Sequence, residues 1–130
     1  MNATTTLLLV ALTAAAPAAA HHSFAPFDRT KEVTLTGAIK EFQWTNPHAW
    51  IQVVVKDDLG RETEWGIECG PANIMARTGW TKSTIKPGDA VVATVNPMRD
   101  GRPSGALVTI TLPDGTVLGP GDAPKPLPIH

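Results

Sequence analysis

Three histidines are the residues of this chain best suited to chemistry, because an imidazole can bind a transition metal. His21 and His22 follow a run of small residues, and His48 ends the segment Thr45-Asn46-Pro47-His48. If the chain is cleaved directly before His21, the new amine and the imidazole can chelate one metal ion. Cleavage one or two residues earlier places a histidine third, so that the amine, two deprotonated amides and an imidazole form a planar nitrogen set. Such ligands suit Cu(II) or Ni(II), and we expect Cu(II) binding through His21 and His22, with His48 as an optional further ligand.

An alternative interpretation of His48 is structural. In it the imidazole is partly buried and packs or caps the chain between Pro47 and Trp50. A structural zinc site is not expected, since the sequence has one cysteine, Cys69, and no closely spaced cysteine and histidine ligands. Cys69 alternates in phase with Trp65, which predicts a small buried side chain and not a reactive thiol.

Four tryptophans in a chain without tyrosine suggest a second kind of site. Trp44 and Trp50 bracket the segment that holds Asn46 and His48, and aromatic rings at the mouth of a barrel can stack on planar ligands. Core packing is the commoner use of tryptophan, and we expect Trp65 to lie in the core. The other three tryptophans stay open between core packing and ligand contact.

Charged residues in the segment from Asn96 to Gly105 complete the candidate ligand site. The guanidinium groups of Arg99 and Arg102 could bind a carboxylate or phosphate bidentately. Asp100 argues against a purely anion-binding role, and the alternative is a solvated loop with an internal pair between arginine and aspartate. The predicted ligand-binding residues are therefore Trp44, Asn46, Trp50, Arg99, Asp100 and Arg102.

No complete catalytic constellation is visible in the sequence. No serine or cysteine stands beside a histidine in a nucleophilic motif, and no glycine-rich phosphate loop precedes a helical segment. Glu62, Glu64 and Glu68 share one strand face, which predicts the solvated side of a sheet and not a general acid and base. We therefore expect a non-enzymatic binding or accessory protein. The alternative to copper is a barrel-mouth module that binds a small molecule or a protein without metal.

Charge restricts the partners. Eleven basic and twelve acidic residues give a formal net charge of -1, which offers no field for a polyanion or an anionic membrane. On this ground we expect no nucleic-acid partner and no stable membrane insertion after processing. A small ligand or a periplasmic protein is the expected partner.

Residues 1–20 have the pattern of a secretory signal peptide. An uncharged apolar stretch runs from Leu7 to about Ala16, and small residues continue to Ala20. The stretch is too short for a membrane span. No basic residue precedes Leu7, which leaves a disordered or anchoring N-terminus as the alternative. We expect a mature protein that begins at one of residues 19 to 21 and is periplasmic or secreted.

Period-two alternation of apolar and polar residues predicts an all-β domain. The first strand changes phase between Ile39 and Phe42, so we expect a bulge near Lys40 and Glu41. The turn Asp57-Asp58-Leu59-Gly60 joins the second and third strands in an antiparallel hairpin. The predicted strands lie near 32–44, 49–56, 62–69, 90–96 and 106–112, with a short helix near 71–78 and a final short pairing near 116–118.

This order of elements is that of the OB-fold, a small five-stranded barrel with one short helix between strands 3 and 4. Another small barrel, or a sandwich with a helical plug, is the alternative. The OB-fold topology places the loops 45–48 and 96–105 beside the binding face, so we expect them at one end and in one concave site. The expected division is a signal peptide at 1–20, an N-terminal arm at 21–31, the barrel at 32–118 and a disordered tail at 119–130.

The chain carries five distinctive segments, HHSFAPFD (21–28), VTLTGAIKEFQWTNPHAWI (33–51), EWGIECG (64–70), GWTKSTIKPGD (79–89) and NPMRDGRPSG (96–105). Together they resemble the uncharacterised bacterial family called domain of unknown function 6152. The resemblance covers nearly the whole chain after residue 20. It implies a small exported protein without an assigned activity, and it carries over no catalytic residue.

Overall fold

A computed structural model describes residues 26–121, in which strands and one short helical segment follow the predicted order. The copper ligands predicted at His21 and His22 lie outside the described residues. The elements are β1 Val33–Gln43, β2 Trp50–Lys56, β3 Glu62–Glu68, α1 Ala72–Met75 followed by a 3-10 turn Ala76–Thr78, β4 Ala90–Pro97, β5 Ser104–Thr111 and β6 Val117–Leu118.

The strands close into a barrel. Strand β1 pairs antiparallel with both β2 and β4, β2 pairs with β3, and β4 pairs with β5. A parallel pairing between the end of β3 and the start of β5 closes the ring, from Gly66 opposite Ser104 to Glu68 opposite Ala106. With the short helix between β3 and β4, this connectivity is that of the OB-fold. The predicted all-β, five-stranded OB-like barrel is confirmed.

A β-bulge lets β1 keep its apolar face toward the core. The register between β1 and β2 shifts between Ile39 and Glu41, and Lys40 is the extra residue. Ile39 therefore lies in the core and Phe42 packs against it, although one position is odd and the other even. The predicted bulge is confirmed at the predicted place.

Trp80 is the largest side chain that is fully buried, at 1% exposure. It packs with Met75 and Ile85 among aliphatic side chains of the strands. Trp65 only borders this core and is half-buried, so the expectation for Trp65 is corrected: the deeply buried tryptophan is Trp80. The Trp80 indole N–H donates to the carbonyl of Gly119 at 2.9 Å, which satisfies the polar atom of the buried ring.

The helical segment covers the core next to the connection between β1 and β2. It begins after Pro71 and ends at Gly79, whose φ of 99° is in the left-handed region that glycine favours. The N–H of Ala72 donates to the carbonyl of Thr45 at 3.3 Å, which fastens the helix to that connection. Within residues 26–121, no helix has the length and apolar character needed to cross a membrane.

Two segments beyond the predicted strands pack against the barrel. Phe27 forms an isolated antiparallel bridge with Met98 and is 8% exposed. At the other terminus, the N–H of Gly70 donates to the carbonyl of Pro120 at 2.9 Å. The sequence assigns residues 119–121 to a disordered tail, and the structure corrects this, because hydrogen bonds hold them against the barrel.

Gly37 and Gly66 offer a matched test of close packing in the barrel wall. A Cβ at Gly37 would overlap the backbone oxygen of Val54, whereas one at Gly66 would first meet the side chain of Gln52, at 3.5 Å. We expect Gly37→Ala to lower the free energy of unfolding by about 3 kcal/mol, because a paired backbone cannot move aside. Gly66→Ala should change it by less than about 0.5 kcal/mol. Urea unfolding measures both, and equal losses in the two variants would contradict this packing.

Candidate functional site

His48 lies in the connection between β1 and β2, with its side chain 46% exposed. Its Nδ1 atom is 3.2 Å from the carbonyl oxygen of Cys69 and 3.3 Å from Oε1 of Glu68. In the neutral tautomer that carries its proton on Nδ1, the N–H faces two acceptors and Nε2 is the nitrogen available to a ligand. The hydroxyl of Thr45 donates to the carbonyl of His48 at 2.7 Å and fixes the backbone of the loop.

Asn46, predicted as a ligand-binding residue, has a structural contact instead. Its Oδ1 accepts the backbone N–H of Asn73 at 3.3 Å, at the start of the helix. The peptide bond between Asn46 and Pro47 is cis. Asn46 therefore joins the loop to the helix, while the residue stays exposed.

A small cleft of about 190 Å³ opens beside His48. Phe27 forms an apolar wall of this cleft, and Arg29 and Glu68 contribute opposite charges to its lining. We call it the His48 cleft; its lining residues are Phe27, Arg29, His48, Glu68, Cys69, Gly70, Ala106, Leu107 and Pro120. It is made where the N-terminal arm crosses the closure between β3 and β5.

Sequence reasoning missed Glu68 as the partner of His48. Glu62 and Glu64 are exposed, as predicted for a solvated face, but Glu68 is half-buried beside the imidazole. The register of the β2–β3 hairpin could have predicted this contact. Lys56 lies opposite Glu62, so Trp50, which follows His48 closely in the sequence, lies opposite Glu68. The arm residues Phe27 and Arg29 had no such signal, since their position depends on the bridge to the β4–β5 loop.

Trp44 and Trp50 have different surroundings. Trp44 packs against the core, with its ring 5.7 Å from that of Phe42 in an edge-to-face arrangement. Trp50 alternates with the buried Ile51 and therefore lies on the outer face of β2, half-buried, opposite Glu68. Of the two rings, Trp50 is the one that lies outside the core cluster.

The β4–β5 loop does not line the His48 cleft. Arg102 Nε donates to Asp100 Oδ2 at 2.7 Å, which is the internal pair of a solvated loop. Backbone and side-chain hydrogen bonds from Arg102 lower the pKa of Asp100. The N–H of Arg99 donates to the carbonyl of Pro26 at 2.8 Å. The single concave site expected from this loop and His48 is therefore not formed in the cleft, because the N-terminal arm lies between them.

Metal ligands are sparse in the described part of the chain. Residues 26–121 contain no group of three or more histidine, cysteine, aspartate or glutamate side chains that could hold a metal ion. His48 and Glu68 are only two, and burial removes the Cys69 thiol from the ligands available at the surface.

Comparison with known proteins supplies the family. The model of the Family of unknown function (DUF6152) matches residues 9–107. The chain belongs to this family. Membership confirms the resemblance drawn from the five sequence segments, and it brings no assigned activity. No curated protein matches the chain.

The chain is also similar to two solved structures of a mitochondrial single-stranded DNA-binding protein from S. cerevisiae, Rim1. The first has a TM-score of 0.48 and 10% identity, and covers 64% of this chain and 92% of that chain. The second has a TM-score of 0.48 and 14% identity, and covers 64% of this chain and 94% of that chain.

The expectation of no nucleic-acid partner is contradicted by this similarity to single-stranded DNA-binding proteins. It rested on the net charge of -1, which averages over the whole surface and says little about one face of a barrel. The exclusion is withdrawn. At this level of similarity the likeness itself assigns no ligand to the chain.

Cys69 should be inert in the folded protein. The thiol is buried, and desolvation, followed by the charge of Glu68, raises its pKa to about 12. Since the thiolate is the reactive form, we expect no reaction with a disulfide reagent at about pH 8 until the protein is unfolded. Thiol titration with and without denaturant measures this. Rapid labelling of the native protein would contradict the burial of Cys69.

Proposed function

We propose that this protein is an exported, non-enzymatic accessory protein that binds Cu(II) through its mature N-terminus. The proposed ligands are the new amine with His21 and His22, and the Nε2 atom of His48. Removal of residues 1–20, or of one or two fewer, would create the amine and deliver the protein to the periplasm or the medium. The buried, protonated Cys69 thiol supports a binding role over covalent catalysis.

The observation that carries the proposal is the pair of acceptors at Nδ1 of His48. Histidines that bind metals usually donate the other ring N–H to a carboxylate or a backbone carbonyl, which orients the ring and sets the tautomer. His48 has both kinds of acceptor, from Glu68 and Cys69. Its Nε2 atom is thereby prepared for a metal before the metal binds.

Chain geometry supports a shared site. Phe27 and His48 line the same cleft, so the N-terminal arm is already beside the imidazole. His22 precedes Phe27 by five positions, and an extended chain of that length spans at most about 18 Å. The chain before Phe27 is therefore long enough to bring His21 and His22 to His48. Together with the amine, these histidines would supply the side-chain ligands that residues 26–121 lack.

Copper titration of the mature protein tests the terminal ligands. We expect His21→Ala/His22→Ala, and a variant with three extra residues before the native N-terminus, each to weaken Cu(II) binding at least about tenfold, because the first removes both imidazoles and the second moves both histidines beyond the third position of the chain. His130→Ala is the matched control and should bind as the parent does. Intact mass of the exported protein identifies the N-terminus. Equal affinity in all of these variants would overturn the copper proposal.

A second pair of variants tests the part played by His48. Glu68→Gln removes the carboxylate beside Nδ1 and should weaken Cu(II) binding about tenfold, the effect common for such supporting residues. Glu62→Gln removes a carboxylate from the same strand, far along the hairpin, and should leave the affinity unchanged. If the two variants bind equally well, the Glu68 carboxylate does not support the site, and equal binding by His48→Ala as well would confine the site to the N-terminus.

A second candidate function is a binding face without metal, and the position of Trp50 favours it. This ring is half-buried on the outer face of β2 and is not part of the core cluster. Gln43 lies opposite it on β1 and Glu68 opposite it on β3, so polar groups flank an aromatic surface. Such an arrangement can stack on a planar group and hydrogen-bond its edges.

Titration with soluble oligosaccharides and with single-stranded DNA, followed by tryptophan fluorescence, tests this face. If it binds either probe, Trp50→Ala should weaken binding at least about fivefold, since one stacked ring contributes roughly 1–3 kcal/mol. Leu59→Ala, at an exposed position in the hairpin turn, is the control and should bind normally. Binding that survives in Trp50→Ala would place the ligand elsewhere.

A further inference from the structure

A second cleft lies on the barrel away from His48, and its lining differs in character. Its volume is about 400 Å³, which is within the range of small-ligand sites. We call it the lysine cleft; it is lined by Glu41, Phe42, Lys82, Ser83, Ile85, Lys86 and Pro87. None of these residues was expected to form a site from the sequence.

The lysine cleft exists because β1 loses a neighbour beyond the bulge. The pairing of β1 with β4 ends at Ala38, while β2 continues to pair with β1 as far as Gln43. The remaining edge of β1 faces the segment 81–89, which leads into β4. The space between this edge and the segment is the cleft.

Hydrogen-bonded turns hold the opposite wall in place. The N–H of Gly88 donates to the carbonyl of Ile39 at 2.7 Å, and the N–H of Ile39 donates to the carbonyl of Asp89 at 2.9 Å. The N–H of Thr81 donates to the hydroxyl of Thr84 at 2.7 Å, which closes the first turn of the segment. The walls are therefore formed before any ligand arrives.

The floor of the cleft is apolar and the rim is charged. Ile85 is 2% exposed, and the half-buried ring of Phe42 lies 5.7 Å from that of Trp80. Lys82 and Lys86 are exposed and form no ion pair within residues 26–121, whereas Lys31, Lys40 and Lys56 each pair with a carboxylate. Two ammonium groups and the one carboxylate of Glu41 leave a net charge of +1 at this site.

We propose that the lysine cleft binds a small organic monoanion, a carboxylate on an apolar or aromatic body. The body would lie on Phe42 and Ile85, and the carboxylate would be held by Lys82 and Lys86, with the hydroxyl of Ser83 as a further donor. The net charge of +1 matches a monocarboxylate. Inorganic phosphate has no apolar body to cover Phe42 and Ile85, so it would lack the hydrophobic part of the binding. This site is independent of the proposed copper site.

Titration of the ¹⁵N-labelled protein with 3-phenylpropionate, followed by amide chemical shifts, tests the proposal. We expect saturable shifts at residues 41–42 and 82–87, with a dissociation constant of roughly millimolar order for so small a probe. The neutral 3-phenylpropionamide should bind at least about fivefold more weakly because it lacks the charge, and inorganic phosphate should also bind more weakly because it lacks the apolar body.

Paired lysine variants separate a built site from general electrostatics. Lys82→Gln/Lys86→Gln should weaken binding of 3-phenylpropionate at least about tenfold, because both ammonium groups are lost from the rim. Lys31→Gln/Lys56→Gln removes the same total charge from elsewhere on the barrel and should leave binding unchanged. Equal binding of acid and amide, equal effects of the two double variants, or no saturable shift in the cleft would each overturn the proposal.

Discussion

Strand β1 pairs with two neighbouring strands, and the closed barrel depends on how it does so. It pairs with β4 from Val33 to Ala38 and with β2 from Gly37 to Gln43, and the bulge at Lys40 lies in the part of β1 that pairs with β2 alone. Without the extra residue, Phe42 would face solvent, since side chains alternate along a strand. The bulge thus keeps one apolar face continuous around a closed barrel.

The pairing of β3 with β5, which closes the barrel, determines where the His48 cleft forms. Three residue pairs join β3 to β5, and β6 pairs with the end of β5 at Ile110 and Thr111. The short closure brings Glu68 next to Ala106, and the N-terminal arm packs over this junction through Phe27. The His48 cleft lies at this junction, where the N-terminal arm, the β1–β2 connection and the paired ends of β3 and β5 come together without filling the space between them.

The two clefts suit different chemistry because different groups are left without internal partners. At the His48 cleft, the carboxylate of Glu68 and the carbonyl of Cys69 both contact Nδ1 of the imidazole. An oriented histidine with one available nitrogen suits a metal ion that arrives with other ligands. At the lysine cleft, two cations stand over an apolar floor, which suits an amphipathic anion. The family itself has no assigned function, so these surfaces are where experiments on it can begin.

The sequence by itself determined the strands, the bulge, the β2–β3 hairpin and the short helix, because their signals are local. Alternation, turn residues and a phase change act within a few positions of the chain, and they lead to the OB-fold. The burial of Trp80 and the packing of residues 119–121 could not be read in the same way, since their partners are remote in the chain.

The candidate sites were decided mostly by tertiary structure. His48 was recognisable from its residue type, but its contact with Glu68 and Cys69 depends on where β3 ends relative to the β1–β2 connection. Arg99 and His48 were expected in one concave site, and the arm at Phe27 lies between their loops. Lys82 and Lys86 face Phe42 only because β4 leaves β1 at the bulge. Closure of the barrel brings together residues that are far apart in the sequence. Local sequence patterns do not predict these long-range contacts.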